Sequence, residues 1–180
     1  MRLTEAAASI PPAGTTARPG AAIAGGAAVG ATFATLGLTG EALVAGALIS
    51  VLVVLAVIDL EERVLPSTVV LPAFAAILLA HVAIAPDRGL ELILASAGTA
   101  FVLLVPAVVW RGAIGFGDVR LGLLLGAGLG TGAVQALLVG LLAAWPFAGY
   151  LLLRDGRAAA RTALPLAPFL AFGAIVAVLL

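Results

Sequence analysis

Nine carboxylates, one histidine and no cysteine are the groups with which this 180-residue chain can do acid–base or nucleophilic chemistry. The absence of cysteine removes thiolate catalysis, disulfides and cysteine-ligated zinc or iron–sulfur sites. Seven of the nine acids have plain readings. Glu5, Glu41, Asp87 and Glu91 fall in a tail or in outer loops. Asp155 stands between Arg154 and Arg157, where a solvated ion pair is the default, and Glu61 and Glu62 are interfacial charges beside Arg63. Asp59 and Asp118 remain. Asp59 directly follows the apolar run VLVVLAVI, and Asp118 directly precedes VRLGLLLGAGL. Both carboxylates are therefore expected at the rim of a hydrocarbon layer, where desolvation works against the ionised form.

Two such acids brought together cannot easily both ionise, which is the condition for sharing one proton. The ionised member draws a proton from water while the protonated one polarises a carbonyl, so the pair hydrolyses a peptide bond without metal or thiol. A plainer reading stands beside this one: each aspartate caps or anchors a helix, and a carboxylate at a helix N-terminus, as at Asp118, is favoured by free N–H groups and the dipole. The flanking string GFGD leaves Asp118 next to bare backbone at Gly115 and Gly117. That arrangement permits unusual dihedrals and the close approach of another chain, as an extended peptide substrate requires.

The elements that must position these acids follow from composition. Hydrophobic residues make up 63% of the chain and charged ones 10%, with a mean hydropathy of +1.27, which places it among integral membrane proteins. Net charge is zero, with no dense basic face, so nucleic acid is not an expected partner and the lipid bilayer is. At about 20 residues per span, an all-α polytopic bundle of six or seven transmembrane helices fits the length. Residues 1–19 read as a mobile N-terminal tail and 20–180 as one transmembrane domain. The expected spans are Ala21–Leu38, rich in alanine and glycine and the weakest of the set, then Ala42–Ile58, closed by the charged cluster at 59–63. Leu65–Ala85 follows, with Pro66 in its first turn and Pro72 as a kink, and then Leu92–Trp110. The stretch Val119–Leu153 is split by GLGTG at 128–132 into a short and a longer helix, and Leu164–Leu180 is last.

Arginine placement orients the bundle. With seven spans, eight of the nine arginines lie on one side and only Arg88 on the other. With the first span left out, the division is six against three. In both cases the positive-inside rule puts Asp59 and Asp118 on the same, cytoplasmic, face of a multi-pass protein.

Three segments together resemble the prepilin peptidases, or type IV leader peptidases, membrane-embedded aspartic proteases of pilus and type II secretion systems. IDLEERVLPSTVVLP is similar to the family's first region, an aspartate after an apolar span, then a basic residue and an LP that opens the next helix. GFGDVRLGLLLGAGLG is similar to its GxGD region, and LPLAPFLAFGA, at 164–174, to its C-terminal segment. The resemblance covers residues from about 42 to the end. It implies that Asp59 and Asp118 are the catalytic pair, that Gly115 and Gly117 position Asp118, and that Arg63 and Arg120 stand at basic positions suited to acidic substrate residues. The implied reaction is cleavage of a prepilin or pseudopilin leader just before the substrate's apolar helix, typically after a glycine. It takes place on the cytoplasmic side of the inner membrane, with no metal or other cofactor. Larger relatives carry an N-terminal methylating domain, often with a cysteine-based zinc site. The length and lack of cysteine here imply the short form, without methylation. Ser67 follows the LP where the family often has aspartate or asparagine, and serine retains the ability to cap.

Two other classes compete with the peptidase. One is a small transporter or channel component whose membrane-edge acids carry protons or cations, and the other a non-enzymatic scaffold. A transporter calls for an ionisable group near mid-bilayer or paired half-helices in two repeats. The spans contain almost none beyond His81, which reads as a packed residue towards the outer face, away from both acids.

Overall fold

The computed structural model describes residues 19–109, 114–155 and 165–180, except for the side chains of 19–24 and 155. The expected tail therefore lies outside the described residues apart from Pro19, as do Trp110, Arg111, Arg157 and Arg161. Among the described residues seven α-helices follow one another: α1 (Pro19–Leu36), α2 (Gly40–Glu62), α3 (Ser67–Ile84), α4 (Gly89–Val109), α5 (Phe116–Leu129), α6 (Gly132–Asp155) and α7 (Ala167–Leu179), with a 3-10 turn at Pro86–Arg88. No strand occurs among the described residues. The protein is an all-α polytopic membrane bundle, as its apolar runs require, because lipid offers the backbone no hydrogen-bond partners and a helix satisfies its own.

Among the described residues four stretches are long and apolar enough to cross a membrane: Gly40–Glu62, Ser67–Ile84, Pro86–Val109 and Gly132–Arg154. α5 and α7 are shorter. At 1.5 Å per residue, the 14 residues of α5 cover about 21 Å and the 13 of α7 about 20 Å, against a hydrocarbon core of about 30 Å. Large apolar side chains point outward along the bundle, among them Leu79, Phe101, Leu142 and Trp145, as a lipid-facing surface demands.

Helix boundaries depart from the sequence reading in instructive places. The strong second helix does not stop at Ile58 but runs on through Glu62, so the charged cluster forms its last turn. It ends through backbone geometry. Arg63 adopts the left-handed conformation (φ 53°) and its N–H donates to the Asp59 carbonyl oxygen at 3.0 Å. Pro66 is the N-cap of α3, not part of its first turn. The break in GLGTG falls where expected. Gly130 has φ +55°, and a Cβ there would come within 2.6 Å of Glu91 Oε1.

Close backbone contact joins the helices in pairs. Ideal Cβ atoms on Gly122 and Gly126 of α5 would come within 3.0 Å and 2.2 Å of the α4 backbone at Thr99 and Ser96. Thr99 Oγ1 lies 2.6 Å from the Gly122 carbonyl oxygen across the same seam. Gly140 of α6 and Gly173 of α7 play the same part, with a Cβ on Gly173 reaching 2.0 Å from the Ala136 oxygen. Small residues substitute for hydrophobic driving force in membranes, because lipid is as apolar as leucine and close approach brings dispersion and polar contacts. α2 supplies the shared core: Leu48, Leu52 and Leu55 are buried with Leu121, Leu124 and Leu125 of α5 and Leu170 of α7.

At one end of the bundle, Arg88 bonds Glu91 through both Nε and Nη2 at 3.1 Å and reaches Glu41 at 3.3 Å. Glu91 also accepts the Thr131 N–H at 3.2 Å. His81 is buried on α3, with Nδ1 3.1 Å from the Ala127 oxygen on α5.

The seam between α4 and α5 gives a stability test. Gly126→Ala is expected to destabilise by about 1–3 kcal/mol through overpacking against Ser96. Gly98→Ala on α4, where a Cβ meets nothing within 4 Å, is expected to be neutral or slightly stabilising. Thermal unfolding of both variants in one detergent separates them, and equal melting temperatures would contradict the seam.

Candidate active site

The opposite end of the bundle is built from three chain segments: the last turn of α2 with the turn to α3, the start of α5, and the start of α7. They enclose a cleft of about 400 Å³ lined by Asp59, Arg63, Val64, Leu65, Pro66, Ser67, Gly115, Phe116, Gly117, Asp118, Arg120 and Pro165. All six residues singled out from the sequence thus border one cavity. Asp59 and Asp118 are both buried, and both border this cleft.

Each acid is held at the N-terminus of a helix that lacks its own side-chain cap. α5 begins after Gly115, which has no side chain to offer, and Asp118, three residues on, reaches back so that its Oδ2 accepts the Gly115 N–H at 3.1 Å. α7 begins after Leu166, again without a side-chain cap. Its cap comes from another helix, since Asp59 Oδ2 accepts the Ala167 N–H at 3.0 Å. This second contact answers a local difficulty. A carboxylate in the last turn of α2 faces the negative end of its own helix dipole, and the positive end of α7 offsets it.

The plain reading of Asp118 as a cap is therefore realised, and it coexists with the cleft. The Gly115 and Ala167 amides are bonded through Oδ2 of each acid, and both carboxyl groups line the cleft while they cap.

The motif glycines act differently from one another. Neither needs a special dihedral: Gly115 has φ −79° and ψ 150°, open to any residue, and Gly117 is not among the positive-φ positions. Gly117 is fixed by sterics, since its Cβ would come within 2.8 Å of Leu65 Cβ in the α2–α3 turn. At Gly115 a Cβ would meet Asp118 Oδ2 and the Gly117 nitrogen at ordinary distances of 3.4 and 3.9 Å. The close approach expected of a foreign chain is thus made at Gly117 by the protein's own turn.

Arg63 is exposed at the cleft mouth, beside Val64 and Phe116, whose side chains are 63% and 61% exposed. Arg120 lies half-buried, and its Nη1 donates to Ser67 Oγ on the far side of the cleft. Ser67 does not cap α3 as expected, because Pro66 occupies the N-cap position without a side-chain bond and leaves the hydroxyl to Arg120. Among the described residues neither arginine forms an ion pair with a carboxylate, and no cluster of three or more potential metal ligands occurs. Sequence reasoning missed the Ala167 amide and the bond to Ser67. The one signal for the first was Pro165 and Pro168, which leave Leu166 and Ala167 as the only N–H donors at the start of α7.

Fold and cleft together define a polytopic membrane protein with two carboxyl groups buried in one cavity at the end of its helices. The sequence profile of the type IV leader peptidase family matches residues 46–154, which is more than half of the chain and includes both aspartates. The chain belongs to that family, and thus to a family of membrane proteases. No curated protein and no solved structure matches it. The third resembling segment, at 164–174, lies beyond the matched stretch, yet its first described residues close the cleft around Asp59.

The two glycines make opposite predictions. Gly117→Ala is expected to destabilise by about 1–3 kcal/mol, because the α2–α3 turn must move off Leu65. Gly115→Ala is expected to leave the melting temperature unchanged. A loss of peptidase activity in a Gly115→Ala protein of unchanged stability would assign the space above Gly115 to the substrate.

Proposed function

We propose that this protein is an aspartic endopeptidase that hydrolyses the leader of prepilin-like or pseudopilin substrates, with Asp59 and Asp118 as its catalytic pair. The observation that carries the reading is that two buried acids 59 residues apart in sequence border one cleft. One carboxylate, as the base, takes a proton from a water molecule whose oxygen attacks the scissile carbonyl carbon. The other, protonated, gives its proton to the carbonyl oxygen. The carboxyl that took the water proton then gives it to the leaving nitrogen as the C–N bond breaks, while the other carboxylate takes back a hydroxyl proton of the gem-diol, which becomes the product carboxylic acid and returns the pair to its shared-proton state. No metal or other cofactor enters these steps.

The substrate's extended segment lies along Gly115, and its apolar helix continues into lipid past Val64 and Phe116. Arg63, whose guanidinium bonds to no described residue, is assigned to an acidic side chain of the substrate near the scissile bond. The cleft faces the cytoplasm, with the protein in the inner membrane, in keeping with the arginine distribution. The described helices are assigned hydrolysis without N-methylation.

The test uses purified protein in lipid vesicles and a full-length prepilin, with cleavage followed by the mass of the product. Asp59→Asn and Asp118→Asn keep the side-chain volume and are each expected to lower the rate by about 10²–10⁴-fold or more. Cleavage at the parent rate by either variant refutes the pair.

A further inference from the structure

The cleft holds two arginines and two aspartates, and among the described residues no arginine–carboxylate pair forms there. Oppositely charged groups in a partly buried cavity ordinarily pair, and a guanidinium on either aspartate would fix that carboxylate as an anion and end proton sharing. Arg120 is diverted to a neutral acceptor instead, the hydroxyl of Ser67. The hydroxyl is available for that bond because Pro66 takes the N-cap position of α3 and Ser67 caps nothing.

The bond joins the two walls of the cleft. Arg120 stands two residues after Asp118 in α5, and Ser67 is the first residue of α3, at the end of the turn that leads from Asp59. Beside this bond Leu65 lies against Gly117, a contact that limits how closely the walls approach, and deeper in the bundle α3 and α5 are joined by apolar packing of Val70 and Ile77 in the core shared with Leu121 and Leu124. At the other end of the same helix pair, the polar tie is His81 Nδ1 on the Ala127 oxygen, far from the acids.

We propose that the Arg120–Ser67 hydrogen bond is a positioning latch that sets the separation of the α5 and α3 starts, and hence of Asp118 from Asp59. Arg120 is thereby a positioning residue, not a substrate-binding one, and Arg63 is left as the cation at the mouth. The inference rests on the acid-pair reading for its effect on rate, but the latch itself has a structural readout.

Two measurements test it. In steady-state cleavage of a prepilin in vesicles, Ser67→Ala and Arg120→Gln are each expected to lower kcat by about 10- to 100-fold with KM within about twofold, as misplaced catalytic groups do. The double variant falls no further than either single one, because both remove the same bond. Ser67→Asn, which retains an acceptor, stays within about threefold of the parent. Multiplicative losses in the double variant, or Ser67→Ala at the parent rate while Arg120→Gln raises KM, overturn the latch in favour of substrate binding. The second measurement needs no activity. The chain has no cysteine, so spin labels on cysteines introduced at Val64 and Phe116 report the width across the mouth by pulsed EPR. Ser67→Ala is expected to broaden or lengthen a single narrow distance, and an unchanged distribution overturns the proposal. If the parent fails to cleave, the acid-pair function falls while the EPR distances still decide the latch.

Discussion

A helix that starts without a side-chain cap leaves N–H groups unsatisfied, and in a membrane no water stands ready to satisfy them. This protein has two such starts side by side, at Gly115 and at Leu166, and it satisfies one N–H at each with an aspartate oxygen. That interaction does two things at once. It makes the burial of Asp59 and Asp118 tolerable, because an N–H and the positive end of a helix dipole face each carboxyl group. It also fixes where the acids stand, because a cap must sit at a helix start and the starts of α5 and α7 are set by packing. A structural role and a chemical one are therefore not alternatives for these residues. The cap supplies the anchoring that a buried acid needs, and it does so on residues that line the cleft.

Packing that sets the helix starts is the work of small residues. Gly122 and Gly126 let α5 lie against α4 at backbone contact, and Gly140 and Gly173 do the same for α6 and α7. With no hydrophobic drive between helices in lipid, such seams carry much of the association. Each seam fixes one of the two short helices whose start borders the cleft. α2 lies against both, and its C-terminal turn brings Asp59 to the Ala167 amide. The polar cluster of Arg88, Glu91 and Glu41 ties the α1–α2, α4 and α5–α6 segments at the far end, and being part-exposed it contributes modestly to stability.

Much of this was legible in the sequence. The run EALVAGALISVLVVLAVIDL is too apolar to be anything but a buried or lipid-facing helix, and the break at GLGTG was visible because Gly130 must turn with a positive φ. The last turn of α2 was not legible. A charge cluster after an apolar run signals an exit to water, and only the start of α7, 108 residues on, makes helical Asp59 favourable there. The role of Ser67 escaped for the same reason. A serine after a proline at a helix start reads locally as a cap, while its actual partner, Arg120, is 53 residues away. The glycines of GFGD were legible as positions needing bare backbone, though the neighbour that requires it at Gly117 is Leu65.

Sequence alone determined the class of the molecule and its candidate chemistry. Composition forces helices in lipid, the lack of cysteine removes thiol chemistry, and only two of nine acids stand where an apolar run meets a boundary. These are properties of chain segments, and they survive without knowing what packs on what. Tertiary structure decided which oxygen of each aspartate is committed, which glycine is sterically fixed, and which arginine faces the cleft mouth. Apart from the local Asp118–Gly115 bond, those depend on contacts between residues 50 to 110 positions apart, and such a hydrogen bond or Cβ clash exists only once the helices that carry its two halves have been brought together.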